Sequence, residues 1–239
     1  MKRTTFALAL AGVAVLAAAS TVYASMRNAD GSERSWVLPA PAIDSPAPKS
    51  GGLQTAVLSG GCFWGIQAVF QHVKGVRSVV SGYAGGAAAT AQYELVGTGT
   101  TGHAESVQIT FDPKQISFGR ILRIFFSVAT DPTQLNQQFP DSGPQYRSEV
   151  FYADADQKRV AEAYIHQLDQ AKVFGRPIAT RVDPVHGFYK AEDYHQDYLL
   201  RHPDNPYIAT YDQPKVAALQ RLFPTDYRAA PARVFKAEG

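Results

Sequence analysis

The chain predicts an α+β fold, a mixed β-sheet with helices packed on it. Three observations carry this expectation. Residues 103–111 alternate with period 2, the mark of a half-buried strand. Ile66, Val69, Phe70 and Val73 fall at i, i+3, i+4 and i+7, the mark of an amphipathic helix. Strand-like and helix-like segments interleave along the chain without the regular βαβ succession of a parallel sheet.

The elements follow in order. Residues 55–59 read as a strand, and Gly60-Gly61 lets the backbone turn tightly after it. Cys62 then falls at the N-terminus of the helix bearing Ile66 to Val73. Unpaired N–H groups and the positive end of the helix dipole favour a thiolate there. Residues 76–83 suit a second strand, closed by the turn signal Tyr83-Ala84-Gly85-Gly86. A flexible stretch leads to the strand 103–111. Glu105, Val107, Ile109 and Phe111 share one of its faces, while Ser106, Gln108 and Thr110 share the other. Ser117 caps a helix carrying Ile121, Leu122, Phe125 and Phe126. A polar loop runs over about 130–145, a length that in a compact domain is usually functional or disordered. Residues 146–152 return to a strand, and Asp154 with Gln157 forms a capping box for a helix to about Lys172. Residues 178–182 read as a strand and 191–200 as a helix bearing Tyr194, His195 and Tyr198. A short last helix has Pro214 near its start and Val216, Leu219 and Leu222 on one side.

Residues 1–24 have the form of a secretory signal peptide. Lys2 and Arg3 precede an apolar run from Phe6 to Ala19, and Val22-Tyr23-Ala24 offers small residues for cleavage. An uncleaved anchor is the rival expectation, although the run is short for a membrane span. The chain has 23 Lys+Arg and 21 Asp+Glu; removing the leader, with its two bases and no acids, leaves a net charge of zero. No basic block points to nucleic acid. Residues 25–52, with Pro39, Pro41, Pro46 and Pro48, read as an extended or disordered spacer. Residues 53–211 suit one domain, followed by a C-terminal helix and tail over 212–239. The expected location is periplasmic or secreted, with no membrane span after cleavage, as a monomer.

The chemistry centres on the single cysteine. An exported protein usually pairs its cysteines, and no pair is possible within this chain. A free thiol at a helix start is therefore a candidate nucleophile, against the plainer alternative of an inert buried residue. Glu105 on an apolar face would lose solvation, which raises a carboxyl pKa and suits a general acid. Alternatively it reaches solvent at the sheet edge. Tyr83 and Tyr146 either present hydroxyls to a pocket or pack with a wet tip. Phe63 and Trp64 either cradle a small apolar group or belong to the core. The six histidines are scattered and no cysteine pair joins them, so no metal site is expected. His195 reads as a structural hydrogen-bonding residue near the site.

Six ordered motifs carry a resemblance. Gly61-Cys62-Phe63-Trp64-Gly65, Gly82-Tyr83-Ala84-Gly85-Gly86, Gly102-His103-Ala104-Glu105, Asp131-Pro132-Thr133-Gln134, Gln145-Tyr146-Arg147-Ser148 and Ala191-Glu192-Asp193-Tyr194-His195-Gln196 occur in this order. The chain resembles the A-type peptide methionine sulfoxide reductases from about Thr55 to Pro206. The resemblance implies a two-layer ferredoxin-like core with a long active-site loop and an irregular C-terminal wrap. It implies that Cys62 attacks the sulfoxide sulfur, that Glu105 protonates the oxygen, and that Tyr83 and Tyr146 hydrogen-bond that oxygen. Asp141 would organise the polar side of the site, while Phe63 and Trp64 hold the terminal methyl. The substrate would be the S epimer of methionine sulfoxide, free or in oxidised proteins, with no metal or organic cofactor, and Cys62 would end as a sulfenic acid. Two other functions stay open, a thiol peroxidase and an inactive methionine-sulfoxide-binding module.

The chain departs from the family pattern at Gln67, Thr130, Phe139 and Pro144, where an acidic or other residue, histidine, glycine and threonine are common. The larger departure is the lack of a second cysteine. An external thiol must then reduce the sulfenic acid, from a thioredoxin-like or glutaredoxin-like protein, glutathione or a second subunit. The thioredoxin-like partner is the expected one.

Overall fold

A computed structural model describes residues 35–46 and 51–235 of the chain. The expected leader lies outside the described residues, as do 25–34 and 47–50 of the expected spacer. The elements run β1 (Gln54–Ser59), α1 (Phe63–Gln71), β2 (Val76–Ala84), α2 (Tyr93–Gly97), β3 (Ala104–Phe111) and α3 (Phe118–Ile124). They continue with a small hairpin, β4 (Gln137–Gln138) and β5 (Asp141–Ser142), then β6 (Glu149–Tyr152), α4 (Ala155–Gln170), β7 (Arg181–Pro184), β8 (Phe188–Lys190), α5 (Tyr198–Arg201) and α6 (Gln213–Leu222).

The main sheet has the order β7-β6-β1-β3-β2-β8. Its middle four strands, β6-β1-β3-β2, are antiparallel, with α1 linking β1 to β2 and α3 lying between β3 and β6 in sequence. That is the expected ferredoxin-like core. Strand β7 adds in parallel beside β6, which makes the sheet mixed. Alternation decides the faces. Val107, Ile109 and Phe111 join the main core under the helices with Phe63, Ile66 and Phe70. Ala104 belongs instead to a smaller cluster with Val57, Ala84 and Phe151.

The expected caps form. Ser117 Oγ accepts from the Arg120 N–H at 3.1 Å, and Asp154 Oδ1 accepts from the Gln157 N–H at 2.9 Å. Each satisfies an amide that a helix start otherwise leaves unpaired. The helix expected over 191–200 is broken. A 3-10 turn (Asp193–His195) and α5 are separated by Asp197, whose φ of 56° is left-handed. Gln196 causes the break by acting as backbone. Its amide accepts from Ser81 N–H at 2.9 Å and donates to Ser81 O at 2.9 Å, docking the turn on β2. The strand expected from 146 starts at Glu149, because Pro144–Tyr146 forms a 3-10 turn. The strand expected at 178–182 forms as β7, shifted to Arg181–Pro184.

The described part of the expected spacer packs on the domain. Leu38 is fully buried, and its carbonyl accepts from Arg123 Nε at 2.6 Å. The Pro39 carbonyl accepts from the Tyr164 hydroxyl at 2.8 Å. Asp44 accepts from the Gly119 N–H at 2.8 Å, placing a carboxylate at the positive end of α3. Composition failed to foresee this strap because its partners lie on α3 and α4, more than 80 residues away in sequence. The C-terminal tail is also part of the body. Arg228 N–H donates to His72 O at 2.8 Å, and the Val234 and Phe235 amides donate to Asp197.

Candidate active site

The site is built where β1 turns into α1. Gly61 has φ 104°, and a Cβ there would stand 2.6 Å from Gln138 Cγ, so glycine alone fits. The turn places Cys62 as the N-cap of α1. Its side chain is only 7% exposed.

A helix start favours a stabilised thiolate, and the free protein does the opposite. Burial, then the charges of Asp212 and Glu105, push the Cys62 thiol well up, and only a backbone hydrogen bond from Trp64 works the other way. Desolvation and neighbouring carboxylates outweigh the helix end. At neutral pH Cys62 therefore rests as a protonated thiol.

Glu105 is 3% exposed on the helix-covered face of β3. Burial pushes its pKa up to about 8, even though Phe63 N–H donates to Oε2 at 3.0 Å. At neutral pH it is largely a carboxylic acid, and Oε1 is free of the Phe63 bond to carry the proton. The alternative of an exposed sheet-edge carboxylate is excluded. Asp141, at the start of β5, is half-buried; burial raises its pKa, and the Tyr207 hydroxyl donates to its Oδ2. Asp212 is wholly buried, and burial raises its pKa to about 6. It stands against Gly65, where a Cβ would collide with its carboxylate, while Lys215 Nζ lies 3.6 Å from Oδ1.

The tyrosines divide differently from expectation. Tyr83 lies opposite Glu105 in the β2–β3 register, but its hydroxyl donates to Glu192 Oε2 at 2.8 Å. That committed, buried hydroxyl fits a structural part better than contact with a substrate oxygen. Tyr146 is half-buried, and its pKa is raised by burial, Glu105, Asp141 and Cys62. Tyr93, at the start of α2, is raised by burial and by the charges of Glu105 and Cys62. Its ring packs 4.4 Å from His195, beside Phe63. Arg147 fixes the neighbouring turn, donating to Pro144 O at 2.9 Å and Gly102 O at 3.0 Å.

Phe63 and Trp64 form an aromatic wall. Phe63 packs 5.0 Å from His195 and 5.9 Å from Tyr83, while Trp64 stacks on Tyr198 at 3.8 Å. His195 has the structural part expected. Its Nδ1 accepts from Trp64 Nε1 at 3.1 Å, and burial lowers its pKa to about 4, so the ring is neutral with its proton on Nε2. Among the described residues no group of three or more His, Cys, Asp or Glu side chains is placed to hold a metal ion.

Sequence reasoning missed Tyr93, Tyr207, Glu192 and Asp212. Tyr93 sits in a five-residue helix with no periodic pattern. The others come from the C-terminal region and reach the site only through tertiary contact. Gln67, one of the departures, is buried and donates to Gln196 Oε1 at 3.0 Å, tying α1 to that region.

A buried thiol, a carboxyl held in its acid form and an aromatic wall thus meet at the start of α1 on this α+β frame. Residues 54–226 match the family described as peptide methionine sulfoxide reductase. A peptide methionine sulfoxide reductase MsrA 2 of Mesorhizobium japonicum is 55% identical over 186 residues, covering 78% of this chain and 95% of that protein. One of Synechocystis is 47% identical over 197 residues, covering 82% and 92%. Among solved structures, reduced Mxr1 of Saccharomyces cerevisiae superposes with a TM-score of 0.57 at 32% identity, covering 66% of this chain and 92% of that one. Methionine sulfoxide reductase A of Corynebacterium diphtheriae does so at 0.57 and 32%, covering 73% and 87%. The chain belongs to the peptide methionine sulfoxide reductase family and is an oxidoreductase of that family.

Proposed function

We propose that the protein reduces methionine S-sulfoxide, free and within oxidised proteins, with Cys62 as the nucleophile and Glu105 as the acid. The observation that carries this reading is the pairing of a buried thiol with a carboxyl held in its acid form near neutral pH. Glu105 protonates the sulfoxide oxygen as Cys62 sulfur attacks the substrate sulfur, and the thiol proton restores the Glu105 acid. Oxygen passes to Cys62. The substrate sulfur is reduced by two electrons to methionine and Cys62 is oxidised by two to the sulfenic acid. Tyr93 and Tyr146 donate to the sulfoxide oxygen, Asp141 with Tyr207 shapes the polar side, and Phe63 and Trp64 hold the methyl end.

The chain has no second cysteine. An external thiol therefore attacks the sulfenic sulfur, releasing water and forming a mixed disulfide, which a second thiol resolves. A thioredoxin-like protein in the periplasm or outside the cell suits the leader composition. Repair of oxidised proteins is the corresponding task.

Turnover of S- and R-methionine sulfoxide with dithiothreitol tests this. Reduction of the S form alone, abolished in Cys62→Ser, is expected. Peroxide consumption without sulfoxide reduction, or binding without product, would overturn it.

A further inference from the structure

Phe139 stands at the tip of the β4–β5 hairpin, between a residue packed under the Cys62 turn and a residue of the site. Gln138, before it, is buried beside Gly61, and its Oε1 accepts from the Asp131 N–H at 3.1 Å and from the Thr130 hydroxyl. Asp141, two residues after it, acts on Cys62. Phe139 N–H is itself fixed on Gln134 Oε1 at 2.9 Å. Yet the Phe139 side chain is 61% exposed.

The ring is not isolated. It meets Tyr211 nearly edge-on at 5.8 Å and 80°. Tyr211 meets Tyr207 at 5.1 Å, and Tyr207 meets Trp64 at 6.1 Å and 86°. Four rings thus run without interruption from solvent to Trp64, two residues after Cys62 in the chain. A single exposed apolar residue means little, whereas a contiguous apolar surface joined to a pocket marks a binding region.

We propose that Phe139 is a specificity residue of the enzyme: its ring is a shelf for an apolar side chain flanking the methionine sulfoxide of a protein substrate. The proposal rests on the sulfoxide reductase reading of the site. When the sulfoxide enters beside Trp64, the peptide on one side of it must leave over the pocket rim, and the aromatic run offers an apolar path there. Free methionine sulfoxide carries charged groups where the peptide would continue and lays nothing on the ring. The hairpin is held on both strands, so the ring is presented without an ordering cost.

The experiment compares kcat/KM, with dithiothreitol as reductant, for free methionine S-sulfoxide, a glycine-flanked peptide and a phenylalanine-flanked peptide. An aromatic contact of ordinary strength favours the phenylalanine-flanked peptide over the glycine-flanked one by about fivefold in the natural enzyme. Phe139→Ser should remove that preference and leave the free amino acid unchanged, while Phe139→Leu keeps part of it. Equal kcat/KM for the two peptides in the natural enzyme overturns the proposal, whatever the variants do. A preference that survives Phe139→Ser overturns it as well. Absence of turnover with all three substrates would instead refute the sulfoxide reductase reading.

Discussion

Replacing Glu105 by glutamine keeps the shape of the side chain and removes its titration. In the folded protein this carboxyl is raised from its ordinary 4.5 to about 8, chiefly by burial. A raised pKa means that the native state binds the proton more tightly than the unfolded chain. The stabilisation from the protonated form is complete below the unfolded pKa and is lost as pH rises through about 8. Integrated from pH 5 to pH 9, the loss is roughly 4 kcal/mol. Asp212 and Glu149, raised to about 6 and about 7, drain stability in the same window, but they do so in both proteins. Urea denaturation of the natural protein and Glu105→Gln at pH 5, 7 and 9 therefore isolates Glu105 by subtraction. The variant should lose roughly 4 kcal/mol less than the natural protein between the two extremes. In a single turnover, without reductant, it should also form methionine about 10²–10⁴ times more slowly at pH 7, the usual contribution of a general acid. In the natural enzyme that step should decline above about pH 8. Parallel stability curves, or a variant within threefold of natural single-turnover rate, would refute the reasoning that burial keeps Glu105 protonated for catalysis.

Tyr93→Phe should lower the single-turnover rate at least tenfold. Tyr83→Phe should leave it within about threefold and cost about 1 kcal/mol in urea through loss of the Glu192 hydrogen bond; the reverse ranking would return Tyr83 to the substrate oxygen. Asp212→Asn removes a charge that raises the Cys62 thiol, so the pH midpoint of iodoacetamide alkylation should move down, and an unmoved midpoint would refute the coupling. Leu38→Ala should cost about 2–4 kcal/mol, measured by urea midpoint at constant slope, because Leu38 of the strap is fully buried, and a cost near zero would refute that docking.

Local chemistry made much of the frame legible. The Gly-Gly turn placed Cys62 at a helix start, and the alternation of 105, 107, 109 and 111 put Glu105 among apolar side chains. Capping residues marked the starts of α3 and α4. These are short-range signals, because a turn, a cap or a pleat depends on residues a few positions apart. Residues 191–200 misled for the same reason. They carry a helix-like pattern, but the Gln196 amide finds better partners on β2, 115 residues away in sequence.

The sequence by itself determined that a single cysteine stands at a helix start and that Glu105 lies on the apolar face of its strand, which is where the proposed nucleophile and acid come from. Only the tertiary structure decided the electrical state of Cys62. A helix start acting alone favours a thiolate, but folding brings Glu105, Asp141 and Asp212 from three distant segments around one buried sulfur. Burial first, and then the carboxylates around the sulfur, outweigh a local dipole. The same convergence assigned Tyr93 to the site, turned Tyr83 toward Glu192 and carried an aromatic path from Trp64 out to Phe139.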